Sequence, residues 1–468
     1  MSASDDPRAI AHGILSKLDP SSYEYENKRR PSHEVEERAY DTLPAAMNLL
    51  LTVARNINVL DRVILSFLRE RNIVHLTPRV RNGLRLGAAE ILFTQTPNYA
   101  AVSEWVTALK PDGKRFSALA NAVLRKVSET AQDASEISSP SDAIGSLNLP
   151  SSLARCAQEL AKGDGGWLEA MAGLSPDALS KISSHPYWLV DGWQKRFGKE
   201  LISILSASQR PHKQAIRWDA QARGGMEHAE AELAAQLKGA SETVAFGGRE
   251  YSLIPAGESS LVRSAFEAGI ISLQGVASQT AIREFPPPEA GLVLDACAGS
   301  GIKATQLALM MGGAKRLVAC DISKPKLEEL VTNFERLRMP PPQSFAFDLT
   351  KSEGVSELHS TFHQGFQRIY IDAPCSGTGT LGRLPFKRFR VKPSDVAALA
   401  EVQQSLIASC AGLLAPGGDI VYITCSMLAG ENEDGVAASG LKAMGTPLTI
   451  LPEADYLEGM FAARIAPD

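Results

Sequence analysis

Cysteine is scarce: six in 468 residues, and no two of them form a CxxC pair. That excludes a thiolate zinc ribbon and makes a disulfide framework unexpected in a chain of this size. Long apolar runs are missing too; "MNLLLTVA" (Met47–Ala54) is too short to span a bilayer. Met1 to Lys17 carries Asp5, Asp6 and Arg8 and lacks the apolar centre of a signal peptide, so a cytoplasmic location with no membrane contact is expected. The eight histidines are scattered. His359 and His363 stand four apart in "HSTFH", which reads as a loop rather than a metal site. Nor does the chain carry a general positive charge, since its net charge of −5 argues against indiscriminate polyanion binding.

What is present is uneven. Arg55 to Ser128 holds twelve Lys/Arg against five Asp/Glu, a candidate polyanion-facing surface within an acidic whole. Residues 1–128 read as helices: "VEERAYDTLPAAMNLLLTVARNI", "VLDRVILSFLRERNI", "PRVRNGLRLGAAEILFTQ" and "FSALANAVLRKVSE" all repeat apolar positions at three and four. The Ser-rich, periodless stretch 129–152 reads as a linker. From 153 to 285 short strands such as "QAIRWDA", "ETVAFGGREYSLI" and "GIISLQGVAS" surround a charged helix, which suggests a small α+β domain. From 286 to 468 strands and helices alternate, and near-continuous apolar strands such as "LVLDAC" and "DIVYITC" predict a parallel sheet covered on both faces. The expected fold is therefore multidomain, all-α then α+β then an α/β Rossmann-like domain, with ligands beyond the carboxyl ends of its strands.

Those strand ends carry the chemistry. "VLDACAGSGIKATQ" places Asp295 and Cys297 at one strand end, then Gly299 and Gly301 in the turn before a helix that starts with Lys303. Such glycines let backbone approach a ligand. Asp321 and Asp348 close the next two strands, suited to ribose hydroxyls and an amino group of one nucleoside-type cofactor. A dinucleotide enzyme would show a full GxGxxG, and "GSGIKA" does not supply it. Cys156, Cys320 and Cys410 read as packing residues, and Cys297 is left open. Cys375 in "IDAPCSGTGTL" and Cys425 in "IVYITCSMLAGENE" differ: each follows an apolar run, fifty residues apart, among small polar neighbours. A thiolate adding to C6 of a pyrimidine turns C5 into a nucleophile for an electrophilic methyl. Two cysteines with an acid, Asp372, suffice for that covalent chemistry, though spacing does not say which sulfur attacks.

With "DAPCSGTG", "YITCS" and a downstream Glu-Asn in this order, the chain resembles the RNA cytosine-5 methyltransferases of the NOL1/NOP2/Sun family. "RNGLRLGAAEILF", "NYAAVSEWVTALK" and "FSALANAVLRKV" are similar to the NusB-like domain of its bacterial 16S ribosomal RNA member, and "SHPYWLVDGWQKRFG" and "GIISLQGVASQTA" to its small RNA-binding intermediate domain. The resemblance implies S-adenosyl-L-methionine as cofactor, and 16S ribosomal RNA or a small-subunit assembly intermediate as partner, with no obligate protein partner evident. It implies Cys425 as the nucleophile, Cys375 as the group assisting release, and Asp372 on the edge of the flipped cytosine with Lys303 nearby. Asp321 is implied for the ribose, Asp348 for the adenine, and Lys326 beside the cofactor in a helix that also carries Leu330, Asn333, Arg336 and Leu337.

Several positions depart from the family's pattern. Ile302 stands where a second glycine is usual, Gly275 where an acid is, Phe386 where another acid follows the cysteine loop, and Gly430 where a glutamate precedes Glu431-Asn432. "FKRFRVK" (Phe386–Lys392) reads as a phosphate-binding run. Transfer RNA methylation and a non-catalytic RNA-binding assembly factor are the alternative functions.

Overall fold

A computed structural model of the protein describes residues 6–18, 44–69, 72–219, 228–254 and 259–467. The start of the expected helix at "VEERAYDTL" lies outside them. Two compact units emerge: Met1–Arg210 with Leu381–Val391, and Pro211–Thr380 with Lys392–Asp468. Among the described residues no helix is long and apolar enough to cross a membrane.

The first unit is helical. Thr77 caps the helix Pro78–Phe93 by accepting from Val80 N, and Pro78 occupies the first turn, where no N–H is needed. The two helices expected around Asn56 are one, Pro44–Ser66, kinked where Asn56 leaves helical geometry and its side chain donates to Thr52 O at 2.9 Å. Part of the basic excess is internal. Arg85 makes a bidentate pair with Asp61 (2.7 Å on both arms), Arg81 donates to the carbonyls of Ile73, Val74 and Leu76, and Arg55 donates to Gly382 O.

The expected linker is a correction. The helix Lys114–Glu136 runs eight residues past Ser128, and Pro140–Gly145 and Pro150–Lys162 follow. Ser139 and Pro140 are a cap and a first-turn proline, so the composition of helix ends was mistaken for that of a tether. The helices from Pro150 to Gln209 also fall in this unit, so the α+β region proper begins after Arg210.

The second unit contains two sheets. Strands β1 (Gln214–Trp218), β2 (Glu242–Phe246), β3 (Arg249–Ile254) and β4 (Ile271–Leu273) form an antiparallel sheet in the order β2-β3-β1-β4. The expected third strand is short, because Gly275 already caps the helix Val276–Glu284. The larger sheet contains β5 (Val293–Asp295), β6 (Leu317–Cys320), β7 (Gln343–Phe345), β8 (Phe366–Asp372), β9 (Leu414–Thr424), β10 (Lys442–Ala443), β11 (Leu448–Ile450) and β12 (Met460–Ala466). Its order is β10-β12-β9-β8-β5-β6-β7, with β11 on β12; β5 to β9 are parallel and β12 antiparallel.

Successive strand residues feed opposite cores. Val293, Ala319, Tyr370 and Ile423 pack with Leu307 and Phe334, while Leu294, Cys320, Ile371 and Tyr422 pack with Ile407 and Cys410. "HSTFH" is a further correction: His359 belongs to the helix Ser352–Thr361, the crossover between β7 and β8. The strand order reverses between β5 and β8, so Asp295 and Asp372, at their carboxyl ends, flank the switch point where such sheets bind ligands.

Candidate active site

Asp372 ends β8 and the chain then turns through Pro374 to Cys375; Cys425 directly follows β9. Ala373 N donates to Ile423 O at 2.9 Å, which carries the pairing of β8 and β9 past the strand end. The two sulfurs lie 3.3 Å apart and both residues are partly exposed. Gly379 N donates to Cys425 O at 2.9 Å, and Gly459 N donates back to Gly379 O at 2.8 Å. A Cβ on Gly379 would stand 2.1 Å from Gly459 O, so this approach requires glycine. Below the loops, Thr424 Oγ1 donates to Asn432 Oδ1 and Asn432 Nδ2 donates to Ser426 O.

Lys303 comes from the first turn of the helix Ile302–Met310 and its ammonium donates to Asp372 Oδ2 at 2.5 Å. Three contacts hold that turn. Gly301 takes the left-handed conformation (φ 86°), where a Cβ would meet the Leu330 side chain at 2.7 Å. Asn333 Nδ2 donates to Ser300 O, and buried Arg217 donates to Ile302 O and Thr305 Oγ1. Burial alone would lower the Lys303 pKa, but Asp372, then Cys425 and Asp295, raise it, so Lys303 remains an ammonium. Asp295 is fully buried behind this pair, and among the described residues its Oδ2 has no hydrogen-bond partner. Burial, then the charge of Asp372, pushes its carboxyl up to about 7.

Beside these groups opens a cavity of about 550 Å³ lined by Cys297, Gly299, Lys303, Asp321, Lys326, Asp348 and Asp372 among others. Asp321 accepts from Gly299 N and Ser323 N, both at 2.8 Å. Asp348 lies three residues past β7 rather than at its end, and Thr350 donates to it from its amide and hydroxyl, holding its pKa down. Ile322, Phe347, Val402 and Leu406 supply apolar walls. The structure thus gathers Cys297, Gly299, Lys303, Asp321, Lys326, Asp348 and Asp372 around one cavity. Gly301 and Asp295 support it from behind, and Cys375 and Cys425 meet beside Asp372 and Lys303. Burial raises the Cys297 pKa well above that of a free thiol.

Two departures gain a physical account. A Cβ on Gly275 would lie 2.8 Å from Glu458 Oε2, so a carboxylate from elsewhere in the chain fills the space beside it. Phe386 is buried in the helical unit, as is Arg388, which donates to the carbonyls of Arg55, Ser183 and Ser208 and to Gln209 Oε1. The expected phosphate-binding run therefore has its central arginine inside the protein.

Sequence reasoning passed over Glu431, Ser376, Ser426 and Gln403, which bond to one another directly beneath the cysteines. It also missed the apolar walls, since Ile322 read as the last residue of a strand and Val402 as an ordinary helix residue. The only available signal was the Glu-Asn pair after the second cysteine.

Residues 284–443 match the family described as 16S rRNA methyltransferase RsmB/F, and residues 5–129 match the NusB family. The probable ribosomal RNA small subunit methyltransferase B of Bacillus subtilis is 30% identical over 262 residues, covering 56% of each chain. The ribosomal RNA small subunit methyltransferase B of Cronobacter sakazakii is 25% identical over 398 residues, covering 82% of this chain and 81% of the relative. For the first relatives, including that of Bacillus subtilis and an Escherichia coli protein, the match spans about half to two thirds of their length. The crystal structure of PH0851 shares the fold, with a TM-score of 0.67 at 18% identity over 97% of this chain and 98% of that one. A methyltransferase homologue from Pyrococcus horikoshii aligns with a TM-score of 0.50 at 20% identity, over 66% of this chain and 99% of its own. One chain thus carries a segment similar to the NusB family, over residues 5–129, and one similar to the RsmB/F 16S rRNA methyltransferases, over residues 284–443.

Proposed function

We propose that this protein transfers a methyl group from S-adenosyl-L-methionine to C5 of a cytidine in 16S ribosomal RNA, in the cytoplasm, through a covalent cysteine adduct. The observation that carries the reading is the pair of sulfurs 3.3 Å apart beside the Lys303–Asp372 ion pair, at the edge of the cavity. The cavity's donor set fits the cofactor. Asp321 and Asp348 offer carboxylate oxygens for ribose hydroxyls and an adenine amino group, apolar walls suit a flat base, and the Gly299–Gly301 turn leaves backbone accessible. When bound, the cofactor supplies an electrophilic methyl group.

The protein's own residues do the rest. The Cys425 sulfur forms a bond to C6, and the C5–C6 electron pair becomes available at C5. Lys303 and Asp372 face the ring's polar edge and hold the base, and the Lys303 ammonium offsets the negative charge that develops at N3 and O2. After C5 is methylated, its proton must leave, and the pair from that C–H bond re-forms C5=C6 as the C6–S bond breaks. The Cys375 thiol, 3.3 Å from Cys425, hands its proton to the departing sulfur, and the thiolate so formed takes the C5 proton. Cys375 is held as a thiol, first by its hydrogen bond to Cys425 and then by burial. That supports Cys425 as the nucleophile.

Cys425→Ala is expected to reduce methylation by at least about four orders of magnitude and to form no adduct. Cys375→Ala is expected to accumulate protein crosslinked to methylated RNA on a denaturing gel. The reverse pattern would exchange the two roles. Bisulfite mapping in a deletion strain should show one 16S cytidine losing protection; a change confined to transfer RNA would replace the substrate.

A further inference from the structure

One buried carboxylate ties the two cysteine loops together. Glu431, in the 3-10 turn Ala429–Glu431, is completely buried. It accepts from Ser376 N at 2.8 Å, from Ser376 Oγ and Ser426 Oγ at 2.5 Å each, and from Gln403 Nε2 at 3.2 Å. All four donors are neutral. Ser376 follows Cys375 and Ser426 follows Cys425, so one carboxylate holds the neighbour of each sulfur. A second brace runs parallel to it, with Met427 N donating to Thr378 Oγ1 at 2.9 Å.

Among the described residues no cation bonds Glu431; a carboxylate buried in that way is costly, and hydrogen bonds offset only part of that cost. A neutral glutamine fills nearly the same volume and could bridge the loops, so the charge itself calls for a use. We propose that Glu431 is the positioning residue of this site: by accepting from the residue that follows each cysteine it fixes the two sulfurs side by side, and its carboxylate on the Cys375 side leaves Cys425 as the nucleophile. The inference rests on the proposed reaction for its purpose, but not for its test.

The surroundings agree. Around Cys375 stand Cys425, just past β9, Tyr422 from β9 and Glu431 from its turn, while the neutral Gln403 from the helix Pro393–Ala411 bonds Glu431. Lys303 and Asp372 stand on the Cys425 side; Cys425 is among the charges that raise Lys303. The Cys375 thiol is pushed up by its bond to Cys425, by burial, and by the charges of Cys425 and Glu431. Cys375 therefore lies near the Glu431 carboxylate and Cys425 near the Lys303–Asp372 ion pair, so two identical side chains stand in different surroundings.

The test is iodoacetamide alkylation of the full-length protein from pH 6 to 10, with each cysteine followed separately by mass spectrometry. In the parent, Cys425 should react faster than Cys375 near pH 7.5, since the thiolate is the form that alkylates. Glu431→Gln should move the Cys375 profile to lower pH and narrow that ratio severalfold, and Glu431→Asp, which keeps the charge, should restore most of it. Loosened packing alone would expose both sulfurs and leave the ratio unchanged, which would overturn the proposal. A double Ser376→Ala, Ser426→Ala variant covers the case in which Glu431→Gln does not fold. It keeps the anion while removing two neutral donors, so the ratio should hold or widen, and a narrowing would overturn the charge argument. If methylation is absent throughout while the ratios behave as stated, the reaction is misassigned and the role of Glu431 stands.

Discussion

Two consecutive stretches of the chain, Asp372–Thr380 and Leu381–Val391, differ in where each sets its principal charged side chain, Asp372 in the first and Arg388 in the second. The first belongs to the α/β unit and keeps its reactive groups partly open: Asp372 and Cys375 remain accessible, and the charge of Asp372 is matched by Lys303. The second belongs to the helical unit and encloses its most basic-looking centre. Arg388 is 1% exposed and donates to three carbonyls and one amide oxygen. His185 beside it is kept neutral, by burial first and then by the charge of Arg388. A run of charge therefore says little about where its members point. A strand end says more, because sheet geometry fixes which way the next residues turn.

The largest expected effect that sharpens this comparison is on stability. Arg388→Ala strands several buried carbonyls and should cost on the order of 3 kcal/mol in urea unfolding of the whole chain. Arg388→Lys should recover little of it, since an ammonium cannot reproduce the guanidinium fork. The salt dependence of RNA binding, measured on folded protein, should stay as in the parent. Should Arg388→Ala instead leave stability intact and flatten that salt dependence, the segment is a phosphate-facing surface and the contrast fails.

A second, smaller effect lies in the α/β unit. Asp295 has its carboxyl pushed up to about 7, above the ordinary aspartate value, mainly by burial and then by the charge of Asp372. The folded state therefore holds a proton that the unfolded chain releases, so this group's contribution falls as pH rises from about 4 to about 7. Asp295→Asn should remove that part of the slope and gain stability at pH 8 relative to pH 5. A parallel offset at both pH values would show that Asp295 is ionised throughout and matched by a partner.

How much of this was legible follows the range of the interactions. Asp295, Asp321 and Asp372 were readable because an apolar run ending in an acid is local, and strand alternation fixes its surroundings. The helix Ser352–Thr361 was missed because it is short and carries Gly354 in a mostly polar sequence. Glu431 was named only as part of a departure from pattern, since its partners lie at Ser376 and Gln403, 55 and 28 residues away. The stretch at 129–152 failed for the opposite reason: serine and proline serve helix starts as well as tethers, and only packing decides between them.

The smallest effect concerns what remains of the basic excess once Arg55, Arg81 and Arg85 are assigned to the interior. Lys110, Lys114, Arg115, Arg125 and Lys126 stay exposed on the helical unit. Lys114 and Arg115 occupy the first turn of the helix Lys114–Glu136, where the helix dipole disfavours cations. Their presence there costs a few tenths of a kcal/mol, so a use in anion contact is expected rather than a structural one. Replacing both with glutamine should leave the melting temperature unchanged or slightly raised. If both touch phosphate, the slope of log affinity for RNA against log salt should become shallower by roughly one to two units, at about 0.7 to 0.9 per contact. Lys126, which pairs with Glu129 at 2.6 Å, is the internal control, and Lys126→Gln should move neither quantity. An unchanged slope in the double variant would make these residues solvated surface, and RNA contact by the helical unit would then have to come from elsewhere on it.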